Sequence, residues 1–389
     1  MIRLTTAALL ALLTTGPAAL ACGGTFSAFV DALKTEAVAR GHSPQTTQRF
    51  FAGIRQSQSV LRADRAQGVF QKPFVDFAHN LISDARRKKG VAKGREFDAV
   101  FDRIEQRYGI NRGVLLAFWA FETDYGGFQG NFNTANALVT LAHDCRRPDL
   151  FRPQVFAALE LFEQGGFDPA STTGAWAGEI GMVQMLPSDI LEHGTDADGD
   201  GRVSLKTSAP DALMSGASML SGFGWRSNEP WLQEVRVPDE MDWSKSGIAS
   251  AQSVAAWEKA GVRARNGSLP RGLNASLLLP QGRKGPAFLA YPNFSVYFDW
   301  NQSFTYVLTA AYFATRFEGA PAFDPRSPEK GLSPDAMKDL QRKLQNRGYD
   351  VGKIDGILGA GTRAAVRAEQ VRLGLPADAW PTQALLGRL

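Results

Sequence analysis

The run Asn111-Arg-Gly-Val-Leu-Leu-Ala-Phe-Trp-Ala-Phe-Glu-Thr-Asp-Tyr-Gly126 holds a stretch, Gly113 to Phe121, that is apolar on every side and leads into an acid, Glu122. A helix apolar all round belongs inside a protein, so this stretch requires a core that wraps it. Asn111 is suited to cap its start and Gly126-Gly127 to stop it, which places Glu122 in the last turn, facing whatever lies beyond the helix end. A carboxyl carried into an interior loses hydration and its pKa rises. Such a group can donate a proton near neutral pH. A buried Glu paired to an Arg is the structural alternative, and the helix alone does not separate the two.

With 389 residues and 44% hydrophobic content, the chain has the material for a large core and a second one. Its first residues have a charged start, a short apolar run from Ala7 to Leu13, and small residues at Ala19 and Ala21. That is the pattern of an export signal over residues 1–21, too short to span a bilayer permanently. The expected location is the periplasm. Cys22 then becomes the first mature residue and Cys145 lies far downstream, in a compartment where disulfides persist. The two can pair; the competing reading is an outer-membrane lipoprotein anchored through Cys22, although Ala19-Leu20-Ala21 lacks the leucine expected three residues before such a cysteine.

The net charge of +4 suits an anionic polymer but is too diffuse to argue for nucleic acid. The one dense basic run, Arg86-Arg87-Lys88-Lys89, reads as the solvated end of a helix. His42, His79, His143 and His193 have no metal-ligand spacing, so no zinc site is expected.

Apolar spacing of three and four predicts helices over Thr25–Arg40, from Ser43-Pro44 onward, over Phe70–Lys89, Glu96–Tyr108, Ala135–His143, Pro153–Glu163 and Gln302–Arg316. Thr172 to Gly181 is rich in glycine and small residues and reads as a loop lining a ligand. Between Trp231 and Phe298 come short β-like pieces, Glu234–Val237 and Ala275–Leu279, and a helix over Ala251–Ala260: a small α/β insertion. Proline density marks 319–331 as a linker. Beyond it, Asp355 to Thr362 and Asp378 to Thr382 form a degenerate repeat in which each turn leads into a helix through a capping threonine.

Asp196, Asp198, Asp200, Gly201 and Ser204 match positions 1, 3, 5, 6 and 9 of an EF-hand loop, and Arg202 within it is counted with the candidate metal-site residues. Position 12 is Thr207 rather than a bidentate Glu; Asp211, a few residues on, is the candidate to close the shell. A structural Ca2+ is expected here, against the alternative of a metal-free Asp/Gly turn.

The ordered pieces Glu122-Thr-Asp-Tyr-Gly126, Gly130-Asn131, Trp176-Ala-Gly178, Gly181-Met-Val-Gln184, Pro187-Ser188, Asp196 to Gly201, Gly224-Trp225 and Trp300-Asn301-Gln-Ser303 together resemble the membrane-bound lytic murein transglycosylase B family, glycoside hydrolase family 103, across Phe26 to Phe323. The residues after Leu332 resemble a three-helix peptidoglycan-binding domain, through Leu340-Gln341, Gly348-Tyr349, Asp355-Gly356, Gly359 and Thr362, with Glu369-Gln370 in place of its usual Phe-Gln pair. The resemblance implies a mainly α (α+β) chain: a lysozyme-like catalytic domain over 22–318 carrying the α/β insertion, then the linker, then a peptidoglycan-binding domain over 332–389. It implies Glu122 as the catalytic acid, and Gln184, Trp300, Asn301 and Tyr306 on the substrate side. Trp300 and Met219 stand where tyrosines are usual. Glu179 replaces a small residue of the Trp-Ala-Gly-x-x-Gly loop, as either a solvated carboxylate or an added charge in the cleft.

The implied reaction cuts the MurNAc–GlcNAc bond of peptidoglycan glycan strands with one acid and no cofactor, and closes a 1,6-anhydro ring on the muramoyl sugar. The implied partners are those strands and proteins of wall synthesis or division, for a monomeric enzyme. Two rival functions remain at this stage: a hydrolytic muramidase, which requires a second carboxylate, and a wall-binding scaffold that does not cut.

Overall fold

The computed structural model describes residues 22–66 and 72–389, so the expected export signal over 1–21 and the first residues of the expected Phe70–Lys89 helix lie outside the described residues. The central element is the helix Arg112–Thr123, buried without a break from Gly113 through Ala120 and again at Thr123. Asn111 caps it by accepting from the Gly113 N–H at 2.8 Å. Its main neighbour is the helix Phe304–Phe317, buried from Tyr306 through Ala314. Phe121 stacks on Phe313 with ring centroids 5.3 Å apart. Helices Asp84–Glu96, Asp98–Tyr108 and Ala209–Gly222 complete the wrapping that so apolar a helix demands.

A second core joins helices Phe26–Ala39, Pro44–Phe51, Thr134–His143 and Pro148–Glu163. The disulfide Cys22–Cys145, with Cα atoms 5.2 Å apart, ties the start of the described chain to it. Asp64, buried, is held by Arg146 and Arg147.

The insertion is a five-stranded antiparallel sheet in the order Ala251–Ser253, Asn274–Leu278, Ala287–Ala290, Leu232–Arg236, Arg263–Ala264. Leu232 faces Ala290 in register, and Leu277 faces Leu289. The expected helix over Ala251–Ala260 therefore divides. Its first three residues pair as an edge strand, and Ser253 caps a shorter helix, Val254–Lys259.

Two further expectations are corrected. The Phe70–Lys89 run breaks into Phe74–Leu81 and Asp84–Glu96, because Ser83 caps the second helix through the Arg86 N–H. Arg86–Lys89 thus lies inside a helix rather than at its solvated end, and Arg86 and Lys89 both reach Asp124.

The C-terminal unit packs helices Pro334–Asn346, Ala360–Arg372 and Gln383–Leu386 around their own core. Gln341 is buried and holds the Asp355 turn by accepting from the Gly356 N–H and donating to the Ile357 carbonyl. Thr382 caps the last helix as expected. Thr362 does not cap: Gly359 occupies that position, and Thr362 is buried one turn later with its hydroxyl donating to the Val351 carbonyl. Glu369, where Phe is usual, accepts from Tyr349 and Arg372, so the helix keeps its packing through polar contacts. The proline-rich stretch lies against both neighbours, with the Glu329 carbonyl accepting from Trp380 and the Arg283 carbonyl from Arg326. Among the described residues no helix is long and apolar enough to cross a membrane.

Candidate active site

Glu122 sits in the last turn of the central helix. Asp124 ends that turn in the left-handed region, with φ 49°, and Tyr125 follows at φ 60°. The stop therefore comes two residues before the expected Gly126. Asp tolerates this conformation better than most residues, and Lys89 holds it by donating to both the Asp124 carbonyl and its carboxylate, each at 2.8 Å.

The Glu122 carboxyl is half-buried, ringed by protein with part of its surface open to solvent. Two donors converge on one of its oxygens: Tyr306 Oη at 2.5 Å and Trp300 Nε1 at 3.0 Å from Oε1. Burial pushes the carboxyl up to about 7; these two hydrogen bonds pull it back, and the Glu179 carboxylate pushes it further up. With Oε1 taken by donors, Oε2 is the oxygen left to carry the proton.

Both donors are fixed from behind. Trp300 stacks on Phe118 of the acid's own helix, with centroids 4.2 Å apart and planes 20° apart, and Tyr306 is buried in the partner helix. The tryptophan that stands in for a tyrosine thus still delivers a donor. Met219, the other replacement, contributes only bulk, packed with Val183, Met185 and Leu205.

The loop Thr173–Met185 lies beside the acid helix. Thr123 Oγ1 donates to the Met182 carbonyl at 2.6 Å and accepts from the Gly126 N–H, joining loop and helix end. Gly181 has φ 82°, and a Cβ there would collide with Leu205, so glycine is required. Gln184, at φ 55°, directs its amide to the Gly181 carbonyl at 2.7 Å, and Asn301 accepts from the Ser303 N–H at 2.9 Å. Among the described residues neither bonds to Glu122. The structure brings Trp300 and Tyr306 onto the acid, and leaves Gln184 and Asn301 to shape the backbone beside it.

Sequence reasoning undervalued Glu179. Burial raises its pKa, its Oε2 has no hydrogen-bond partner among the described residues, and in its ionised form it is the group that acts on Glu122 through space. Its place in the Trp-Ala-Gly-x-x-Gly loop was the available signal. Asp124, the nearest second carboxylate in sequence, is turned away and neutralised by Lys89 and Arg86.

In the acidic loop, ligand oxygens of Asp196, Asp198 and Asp211 lie within 4.8 Å of one another. Asp211 is fully buried, accepting from the Ala197 and Ser204 N–H groups at 2.8 Å each. None of the three has a Lys, Arg or His partner among the described residues, so the donor set fits a hard divalent cation. Asp200 lies outside this group and accepts from the Arg202 N–H instead.

A helical fold with an acid at the end of its central buried helix, flanked by an acidic loop, defines a lysozyme-like glycan-cleaving protein. The chain belongs to the family described as transglycosylase SLT domain, which matches residues 25–315; a peptidoglycan binding domain matches residues 333–389. It is a lytic transglycosylase, an enzyme acting on peptidoglycan. It is 24% identical over 279 residues to membrane-bound lytic murein transglycosylase B of Escherichia coli (strain K12), covering 69% of this chain and 76% of that one. The crystal structure of SltB3 from Pseudomonas aeruginosa with NAG-anhNAM-pentapeptide is similar at 36% identity and TM-score 0.86, over 94% of this chain and 99% of that one. That of the Escherichia coli lytic transglycosylase Slt35 with calcium has TM-score 0.64 and 23% identity, over 76% of this chain and 95% of that one.

Proposed function

We propose that Glu122 serves first as acid and then as base in cutting the MurNAc–GlcNAc bond of peptidoglycan. The observation that carries this reading is a carboxyl pushed up to about 7 with both fixed donors on one oxygen. The Glu122 proton goes to the glycosidic oxygen and the bond from that oxygen to C1 breaks. The muramoyl C6 hydroxyl attacks C1, its proton returns to the Glu122 carboxylate, and a 1,6-anhydro ring closes with no water consumed. A positioned acid contributes on the order of 10² to 10⁴ in rate, and an intramolecular hydroxyl adds effective molarity. Trp300 and Tyr306 hold the carboxylate between the two proton transfers. A muramidase would need a second, ionised carboxylate to activate water; Asp124 is paired elsewhere, and Glu179 is biased by burial toward keeping its proton.

Mass spectrometry of the products released from purified sacculi tests this. Products one water lighter than their hydrolysed counterparts, with the wild type and not with Glu122→Gln, are expected. Reducing ends would replace the transglycosylase reading with a muramidase, and no release at all would leave a binding scaffold.

The same reading places a structural calcium ion on Asp196, Asp198 and Asp211, supported by their convergence and by the calcium complex of the Escherichia coli relative. At 100 times its Kd, a ligand of the folded state adds about 2.7 kcal/mol of stability. Calcium is expected to raise the Tm of the wild type and not that of Asp211→Asn, as read by calorimetry with and without chelator. We place the mature chain in the periplasm, where its substrate lies and where a Cys22–Cys145 disulfide persists.

A further inference from the structure

Between the insertion and the C-terminal unit lies a cavity of about 950 Å³. One wall comes from Ile248, Leu278 and Leu279 of the insertion, the opposite one from Leu358, Arg363 and Arg367. Its third side is the chain that holds the acid: Asp299 and Gln302 to Thr305 line it, immediately flanking Trp300 and leading into the helix of Tyr306.

The two arginines are one helical turn apart, and among the described residues neither has a carboxylate within ion-pair distance. The Nε atoms of both are buried without an acceptor. Arg363 donates one bond, to the Pro280 carbonyl at 2.9 Å, and stacks over Phe304. Among the described residues the Arg367 side chain makes no hydrogen bond. Asp378 acts on both only from a distance, its oxygens already accepting from Gln370, Trp380 and the Arg283 N–H. Asp299 is exposed. Burial, then the neighbouring Arg367, lowers the Arg363 pKa to about 10. Buried cations ordinarily find a counter-charge; here, among the described residues, no carboxylate comes within ion-pair distance, Asp378 acts only from afar, and the walls are largely apolar. The complement is an extended ligand with an apolar body and an anionic end.

We infer that this cavity is a second peptidoglycan site, in which Arg363 and Arg367 take the terminal carboxylate of the peptide stem. The inference rests on the peptidoglycan reading of the acid site and extends it. A stem on a sugar held at Glu122 starts beside the Trp300–Tyr306 corner, and five extended residues reach about 17 Å. The guanidinium fork suits a carboxylate. The C-terminal unit then reads the peptide while the catalytic core holds the glycan.

Calorimetric titration of the full mature chain with three probes tests the site: NAG-anhNAM-pentapeptide, the same molecule amidated at the peptide C-terminus, and NAG-anhNAM without peptide. Amidation is expected to weaken binding about tenfold or more, the range of a charge-assisted hydrogen bond. Arg367→Gln, which removes no bond within the protein, should bind acid and amide equally with an unchanged Tm; Arg363→Gln should do the same, with its Tm checked because the Pro280 contact goes. Equal binding of acid and amide by the wild type, or discrimination that survives Arg367→Gln, overturns the inference. The peptide-free disaccharide keeps the two sites apart. Its binding reports the glycan cleft alone, so failure of the acid-site reading would show there and in the sacculus products, while failure here would leave both intact.

Discussion

Glu122 and Asp124 are two residues apart at the end of one helix, and the fold drives their carboxyls in opposite directions. Glu122 faces inward among aromatic rings, and burial outweighs its two donors, so it titrates at about 7. Asp124 faces outward; the hydrogen bond from Lys89 comes first among the influences on it, and with Arg86 it outweighs partial burial and holds the carboxyl below the ordinary range. The carboxyl proposed to release and regain a proton and the anion that closes a helix end thus have one residue and a change of face between them. What differs is the set of neighbours, which come from distant parts of the chain.

The largest test of this contrast is Glu122→Gln, which keeps an oxygen for both donors and removes the transferable proton. Turnover of sacculi is expected to fall by about 10² to 10⁴. The same variant carries a stability signature. Between 4.5, the ordinary carboxylate value, and about 7 the folded wild type holds a proton that the unfolded chain has released, so its stability falls as pH rises through that window. Glu122→Gln should therefore melt above wild type at pH 8 and level with it at pH 4; the reverse order would mean that the carboxyl is not destabilised by burial.

Next in size is Tyr306→Phe. The wild-type rate is expected to fall above about pH 7, and removing the 2.5 Å donor should move that alkaline limb upward by about one unit. A limb that stays in place would remove Tyr306 from control of the proton. Glu179→Gln should shift the same limb downward and by less, since its through-space effect is the smallest of those on Glu122. Asp124→Asn is expected to change least: its ion pairs are roughly half exposed, so the loss is a few tenths of a kcal/mol, seen as a small drop in Tm above pH 5 that vanishes in acid, with activity retained. A loss of activity comparable to that of Glu122→Gln would erase the distinction between the two faces.

Much of the site was legible before any coordinates. The Asn111 cap and the all-round apolar run place Glu122 in a last turn, and the structure agrees to the residue. The alternating aspartates announce an acidic loop because their spacing is local. Other features were not legible for equally physical reasons. Gly126-Gly127 looked like the stop, yet Asp124 turns the chain because Lys89, on another helix, holds its carbonyl. Asp200 follows the loop pattern and still lies outside the cluster, whereas Asp211 joins it from the first turn of the next helix. Thr362 carries a capping side chain, but Gln341 and the Asp355 turn draw it inside.

The sequence by itself determined that an acid ends a buried helix, that acidic and glycine-rich loops accompany it, and that a three-helix unit follows a proline-rich stretch. These follow from spacing, capping and hydrophobic pattern, which act over a few residues. Only the tertiary structure decided which carboxyl keeps its proton, that Trp300 and Tyr306 share one oxygen of Glu122, that Glu179 pushes on it, and that Arg363 and Arg367 face a largely apolar cavity with no carboxylate in ion-pair distance among the described residues. Desolvation and charge pairing depend on atoms brought together from across the whole chain, and folding alone sets that company.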